Sequence, residues 1–154
     1  MSRNILYMTK HINYDEQTFH FYMFKCKNED IDNCYVGHTV NITQRKSSHK
    51  CRCNNTNTKG HNLKVYKTIR ENGEWDNWTM LVLHSQLCKD HNEVVRIEQE
   101  FIDKNITKMN TIKAFITKEE KKAHNQLYKQ DHKEEIKLQN QQYYLKRKEL
   151  KKTI

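Results

Sequence analysis

Residues 19–26, Phe-His-Phe-Tyr-Met-Phe-Lys-Cys, set bulky aromatics at alternating positions, the period of a strand. A polar stretch, Asn28 to Asn33, follows, and Cys34-Tyr35-Val36-Gly37-His38-Thr39 then reads as the return strand of a hairpin. Asn41 with Gln44 three residues on has the form of a capping box, which predicts a helix over about 42–52. After a polar loop, Asn54 to His61, a second helix runs from Leu63 to about Asn72. It carries Leu63, Tyr66 and Ile69 on one face, and Gly73 is its stop. Trp75-Asp76-Asn77-Trp78 leads into the apolar run Thr79–Leu83, fit for a buried strand. Asp90 and Glu93 repeat the capping spacing and open a third helix to about Lys104, and 107–116 reads as a last extended piece. The expected fold is therefore α/β (α+β), a small three-stranded sheet flanked by helices and occupying residues 19–116, after an N-terminal extension over 1–18.

From residue 117 the pattern changes. Strong helix formers continue to the end, but apolar residues become too sparse to build a core. Asn125, Tyr128, Lys133 and Glu134 recur fifteen residues later as Asn140, Tyr143, Lys148 and Glu149. Residues 117–154 thus form a Lys/Tyr-rich tail, a solvated helix or pair of helices, or a segment that orders on binding.

Charge sharpens this picture. The chain has 28 Lys and Arg against 19 Asp and Glu, a formal net charge of +9, and the tail carries a large part of the excess. Basic side chains gather on polyanions because each phosphate contact releases condensed counterions. A soluble basic protein without a nucleic-acid partner is the plain alternative. The 5 cysteines, at 26, 34, 51, 53 and 88, form no even framework and read as reduced thiols of an intracellular, non-secreted protein. Arg3, Lys10, His11 and Asp15 interrupt the first residues, so no signal-peptide stretch is seen, and no window has the apolar length of a membrane span.

Several side chains have chemistry to offer. Arg45 and His49 lie four apart and project from one helix face. Such a pair suits a phosphodiester, the guanidinium stabilising oxygen charge and the imidazole handling a proton; it equally describes a basic surface pair. Glu98 lies four residues after Val94 and four before Ile102, on or beside the buried stripe of the third helix. A carboxylate there needs a cation, either an arginine or a divalent metal with waters completing its shell. Tyr22 and Tyr35 sit in the two hairpin strands, and Gly37 allows close backbone approach beside Tyr35. His49, Cys51, Cys53 and His61 are a possible zinc set, but Cys-x-Cys with scattered histidines departs from the usual spacing.

Over about residues 19–116 these features resemble the GIY-YIG nuclease superfamily. Tyr35-Val36-Gly37 matches the YIG element, followed by His38-Thr39, and His20-Phe21-Tyr22 stands for the GIY element with its tyrosine kept. Arg45 falls at the position of the family's catalytic arginine, His49 where members carry His or Tyr, Glu98 at the metal-binding glutamate and Asn110 at a late asparagine. The wording around Gly60–Tyr66 and Glu71–Trp78, and the repetitive tail, resembles GIY-YIG proteins of large DNA viruses, which would place the protein in the host cytoplasm or nucleus.

The resemblance implies metal-dependent hydrolysis of DNA, most naturally double-stranded. Tyr22, Tyr35, Arg45, His49, Glu98 and Asn110 would be the catalytic set, and one Mg²⁺ or Mn²⁺ would sit on Glu98. Tyr22 or Tyr35 would be the base that activates water, helped by His49. Gly37, His38, Lys46, Lys50 and Arg52 would contact nucleic acid from the domain, and Lys146, Arg147 and Lys148 from the tail. The rival reading is the same fold used as a non-catalytic nucleic-acid-binding or interaction module.

Overall fold

The aromatic run at 19–26 needs two buried faces, and the sheet supplies them. In the computed structural model, which describes residues 13–14, 16–105 and 108–150, β1 (Thr18–Cys26) is the middle strand. β2 (Cys34–Thr39) and β3 (Trp78–Leu87) flank it, both antiparallel, in the order β2-β1-β3. Phe19 and Phe21 point to one side and pack with Cys88 and Val94, with Ile97 and Phe101 against them. Tyr22, Phe24 and Cys26 point to the other and join Cys53, Val65, Tyr66, Ile69, Trp75 and Trp78. α3 (His91–Asn105) therefore covers the first face, and α1 (Ile42–Asn54) and α2 (Lys64–Glu71) cover the second. Burial of one such aromatic side chain contributes roughly 1.5–3 kcal/mol, so β1 anchors both cores.

Local chemistry sets the helix ends. Asn41 accepts from the Gln44 amide at 2.9 Å, the expected cap of α1. Asp90 accepts from the Glu93 amide at 2.8 Å, while the Glu93 carboxylate reaches back to the Lys89 amide. Gly73 follows the end of α2 with φ of 88°, a left-handed turn that glycine adopts without strain. A single 3₁₀ turn, Trp75–Asn77, then brings the chain into β3.

Two expectations change. The run at 79–83 is not a buried strand: β3 is a sheet edge, and Leu81 and Val82 are 41% and 50% exposed. An apolar run of that length does not distinguish a central from an edge strand. The closing segment, expected as extended from 107, forms no strand over its described part, 108–116; residues 106 and 107 lie outside the described residues, as does most of the extension over 1–18. That segment is nevertheless tied to β2. The Met109 amide donates to the Cys34 carbonyl at 3.2 Å. The Asn110 side chain accepts from the Val36 amide and donates to the Val36 carbonyl, both at 2.9 Å. One carboxamide thus stands in for a missing strand on the outer edge of β2, where unpaired backbone groups would otherwise remain.

A second compact unit begins at Ile116. Its α4 (Lys118–Asp131) opens on a full capping box, with Thr117 accepting from the Glu120 amide and the Glu120 carboxylate accepting from the Thr117 amide. α5 (Lys133–Leu150) follows directly after His132, whose ring stacks on Tyr128 at 4.1 Å. No residue of α4 is buried, and Leu127, Leu138, Tyr143 and Tyr144 stay exposed, as the sparse apolar pattern required. Lys118, Lys121, Lys122 and Lys129 line one groove of α4 with Asn125 and Gln126. Among the described residues, no helix is long and apolar enough to cross a membrane.

Candidate active site

Only two residues separate the end of β2 from the start of α1, so its second and third turns lie over the sheet beside Tyr22 and Tyr35. His49 is nearly buried there, 5% exposed, inside a ring of aromatics. The rings of Phe24, Tyr22, Tyr35 and Tyr66 stand 4.9, 5.8, 5.8 and 5.8 Å from it. Its Nε2 is 2.7 Å from the Tyr22 hydroxyl and its Nδ1 is 2.9 Å from the Tyr66 hydroxyl. A neutral imidazole donates from one nitrogen and accepts at the other, so with the ring uncharged one tyrosine hydroxyl donates to it and the other accepts from it. Burial, reinforced by the Arg45 and Arg52 charges, lowers the His49 pKa to about 4 and keeps it in that form.

The close approach expected at Gly37 is present. A Cβ on this residue would lie 2.6 Å from the Tyr22 hydroxyl oxygen and 3.1 Å from Tyr35 Cε1, so any side chain would displace both tyrosines. Burial, as the largest cause, pushes the Tyr22 hydroxyl far above the ordinary tyrosine value. It also raises Tyr35, where the Glu98 charge adds to it and Arg45 opposes it.

β2 is an edge strand, and that lets residues from opposite faces of the sheet meet. Tyr35 lies on the α1 side, opposite Phe24 in register, while His38 lies opposite Phe21 on the α3 side. His38 Nδ1 is 2.7 Å from Glu98 Oε2, and the His38 carbonyl accepts from Arg45 Nη2 at 3.0 Å. One residue therefore connects the arginine of α1 to the carboxylate of α3. Glu98 is 9% exposed, as its place on the apolar stripe required. A cavity of about 300 Å³ opens at this edge, lined by Tyr35, Arg45, His49, Glu98 and Asn110 among others, with Arg52, Lys64 and Tyr66 from the α1–α2 side.

Tyr35, Arg45, His49, Glu98 and Asn110 of the expected set thus share one cavity. Tyr22 does not line it; its hydroxyl is spent on His49. A model described as the GIY-YIG catalytic domain matches residues 18–113. The chain belongs to the GIY-YIG family. No curated protein and no solved structure matches it. The match covers the sheet, α1 to α3 and the Asn110 segment, and it ends before the tail helices.

Other expected residues of this GIY-YIG domain are placed differently. Lys46 and Lys50 are exposed on α1, and Lys50 pairs with Asp76 at 3.7 Å, an exposed contact worth little. Lys146, Arg147 and Lys148 belong to the tail unit. The zinc set does not assemble: both ring nitrogens of His49 hold tyrosines, Cys53 is buried while Cys51 is exposed, and no group of three or more metal-ligating side chains gathers among the described residues. Tyr66 and Lys64 were not anticipated as site residues. A tyrosine in an otherwise aliphatic helix stripe is the one signal that marked Tyr66, since a buried hydroxyl needs a partner.

His49 gives the domain a pH-dependent stability. Unfolded, the ring takes a proton near 6.5; folded, only near 4. Between these values the unfolded chain binds more protons, so stability falls as pH is lowered through the window, by on the order of 3 kcal/mol from this residue. Urea unfolding at pH 7 and near pH 4 is expected to show this loss in the wild type and a smaller one in His49→Gln; equal losses would contradict the assignment.

Proposed function

We propose that this GIY-YIG protein is a metal-dependent DNA endonuclease that hydrolyses phosphodiester bonds in the cavity at the β2 edge. The observation that carries the reading is the convergence of Tyr35, Arg45 and Glu98, from one strand and two helices on opposite faces of the sheet, on one cavity.

The donor chemistry suits a hard divalent cation. Glu98 is the only carboxylate lining the cavity among the described residues, and His38 takes its Oε2. A single carboxylate with waters and substrate phosphate around it is an ordinary arrangement for Mg²⁺ or Mn²⁺. Such an ion, held by Glu98, supplies positive charge for a phosphate oxygen and the leaving group. His38 orients the carboxylate from outside the cavity, since it touches Glu98 but does not line the pocket. Arg45, fixed through the His38 carbonyl, stabilises charge that develops on the phosphorus oxygens. Tyr35 is the base. Its ring lines the cavity, and while burial and the Glu98 charge oppose its ionised form, the Arg45 charge favours it. Tyr22 and His49 position it: the Tyr22 hydroxyl is held by His49, and Gly37 lets Tyr22 and Tyr35 sit side by side. Asn110 fixes the wall of the cavity to Val36.

The tail unit binds the DNA backbone outside the catalytic cavity. Its support is the lysine-lined groove of α4 and the exposed tyrosines and cations of α5, the combination that tracks phosphates and stacks on bases.

Supercoiled plasmid with Mg²⁺ or Mn²⁺ is expected to become nicked or linear, and chelator to prevent it. Glu98→Gln should abolish cutting and Arg45→Ala should slow it by about 10²–10³-fold, with thermal unfolding little changed. DNA retarded in a gel but never cut would instead favour a binding module. Removing residues 118–154 should weaken duplex binding and flatten its salt dependence; an unchanged slope would make the tail a solvated appendage or a site for another partner.

A further inference from the structure

The reaction derived above uses the Glu98 side of the cavity and leaves the opposite side without a task. That side is lined by Arg52, Lys64 and Tyr66. Arg52 follows Arg45 by seven residues, two turns along the same face of α1 and about 10.5 Å of helix rise. Lys64 is the first residue of α2, so the polar 55–63 connection brings the two cations together from different helices. The connection also packs on the arginine stem: a Cβ on Gly60 would lie 3.3 Å from Arg52 Cδ. Arg52 further interacts with the Tyr66 hydroxyl, which holds His49.

Among the described residues these cations have no ion-pair partner. The lysines at 50 and 108 are each paired with an aspartate, but among the described residues no carboxylate lies within ion-pair distance of Arg52 or Lys64. Glu98, the one acid lining the cavity among the described residues, is already bonded to His38. Arg45, Arg52 and Lys64 therefore face a cavity of about 300 Å³ with one carboxylate among its described lining residues, and a ligand anionic at more than one point suits it. A nucleic-acid strand repeats its negative charge at every step, which matches two cationic positions spaced along one helix face.

We propose that Arg52 and Lys64 form a second phosphate subsite, which grips a phosphate neighbouring the scissile one on the same strand. The assignment of the scissile phosphate to the Glu98 side rests on the nuclease reading; the anion site at Arg52 and Lys64 does not. Arg52 offers a planar fork for two phosphate oxygens, and Lys64 a compact point charge. The subsite fixes the direction in which the strand crosses the cavity, from the α1–α2 side towards Glu98.

The test measures binding of a short fluorescein-labelled duplex to the full chain in chelator, where no cutting occurs, from about 50 to about 200 mM salt. Arg52→Gln and Lys64→Gln are each expected to make log K against log salt shallower by about 0.9, with binding weakened several-fold at the low-salt end. Arg52→Lys and Lys64→Arg, which keep the charge, should retain the wild-type slope. Wild-type slopes in both glutamine variants would overturn the proposal, as would an equal loss in the charge-keeping ones. Lys64 is exposed, so Lys64→Gln carries the test by itself if Arg52→Gln proves unfolded. Glu98→Gln serves as the reference. A loss of cutting there with unchanged slopes in the glutamine variants would sink the subsite alone. Flattened slopes in a protein that never cuts plasmid would sink the nuclease reading and leave the subsite standing.

Discussion

A neutral imidazole with a tyrosine hydroxyl on each ring nitrogen sits at the base of the cavity, and the geometry of the cavity follows from it. His49 joins β1 through Tyr22 to α2 through Tyr66, and it is itself part of α1. Burial with two nearby guanidinium charges keeps the ring uncharged, so one hydroxyl donates to it and the other accepts from it. The Arg45 and Arg52 side chains that line the cavity therefore also keep the histidine neutral. His49 is consequently a poor proton shuttle and a good strut.

The second constraint is the position of β2 at the edge of the sheet. A central strand would have kept the α1 side and the α3 side apart. At the edge, His38 on one side and Tyr35 on the other belong to one short strand, and Glu98 and Arg45 converge around it. Edge strands expose unpaired backbone groups, and here the Asn110 carboxamide satisfies those of Val36. The asparagine thus protects the strand and builds the cavity wall through the same two hydrogen bonds.

Much of this was legible in the residues, for reasons that differ by element. The hairpin showed in the alternating aromatics, and α1 and α3 in Asn41, Asp90 and their partners three residues on, because these are local signals. Glu98 stood out because a carboxylate on an apolar stripe demands an explanation. The edge position of β3 and the irregular path after residue 107 were not legible, since both depend on which strands pair at long range. The Tyr22–His49–Tyr66 chain was half legible. His49 was singled out, but its burial comes from aromatics contributed by three separate elements. Spacing alone left either tyrosine as the base; Tyr35 lines the cavity and Tyr22 does not, which supports the proposal of Tyr35.

The central claim is that Tyr35 performs the proton transfer while Tyr22 holds the structure that presents it. Single-turnover cleavage by Tyr35→Phe and by Tyr22→Phe, each with its unfolding curve and its DNA affinity, tests that division most directly. The account predicts that Tyr35→Phe loses cutting while folding and binding stay at wild-type levels. It predicts that Tyr22→Phe is destabilised by about 1–3 kcal/mol, because a ring nitrogen of His49 loses its buried partner, and still cuts. A Tyr35→Phe protein that cuts at the wild-type rate, beside a stable and inactive Tyr22→Phe, would contradict it.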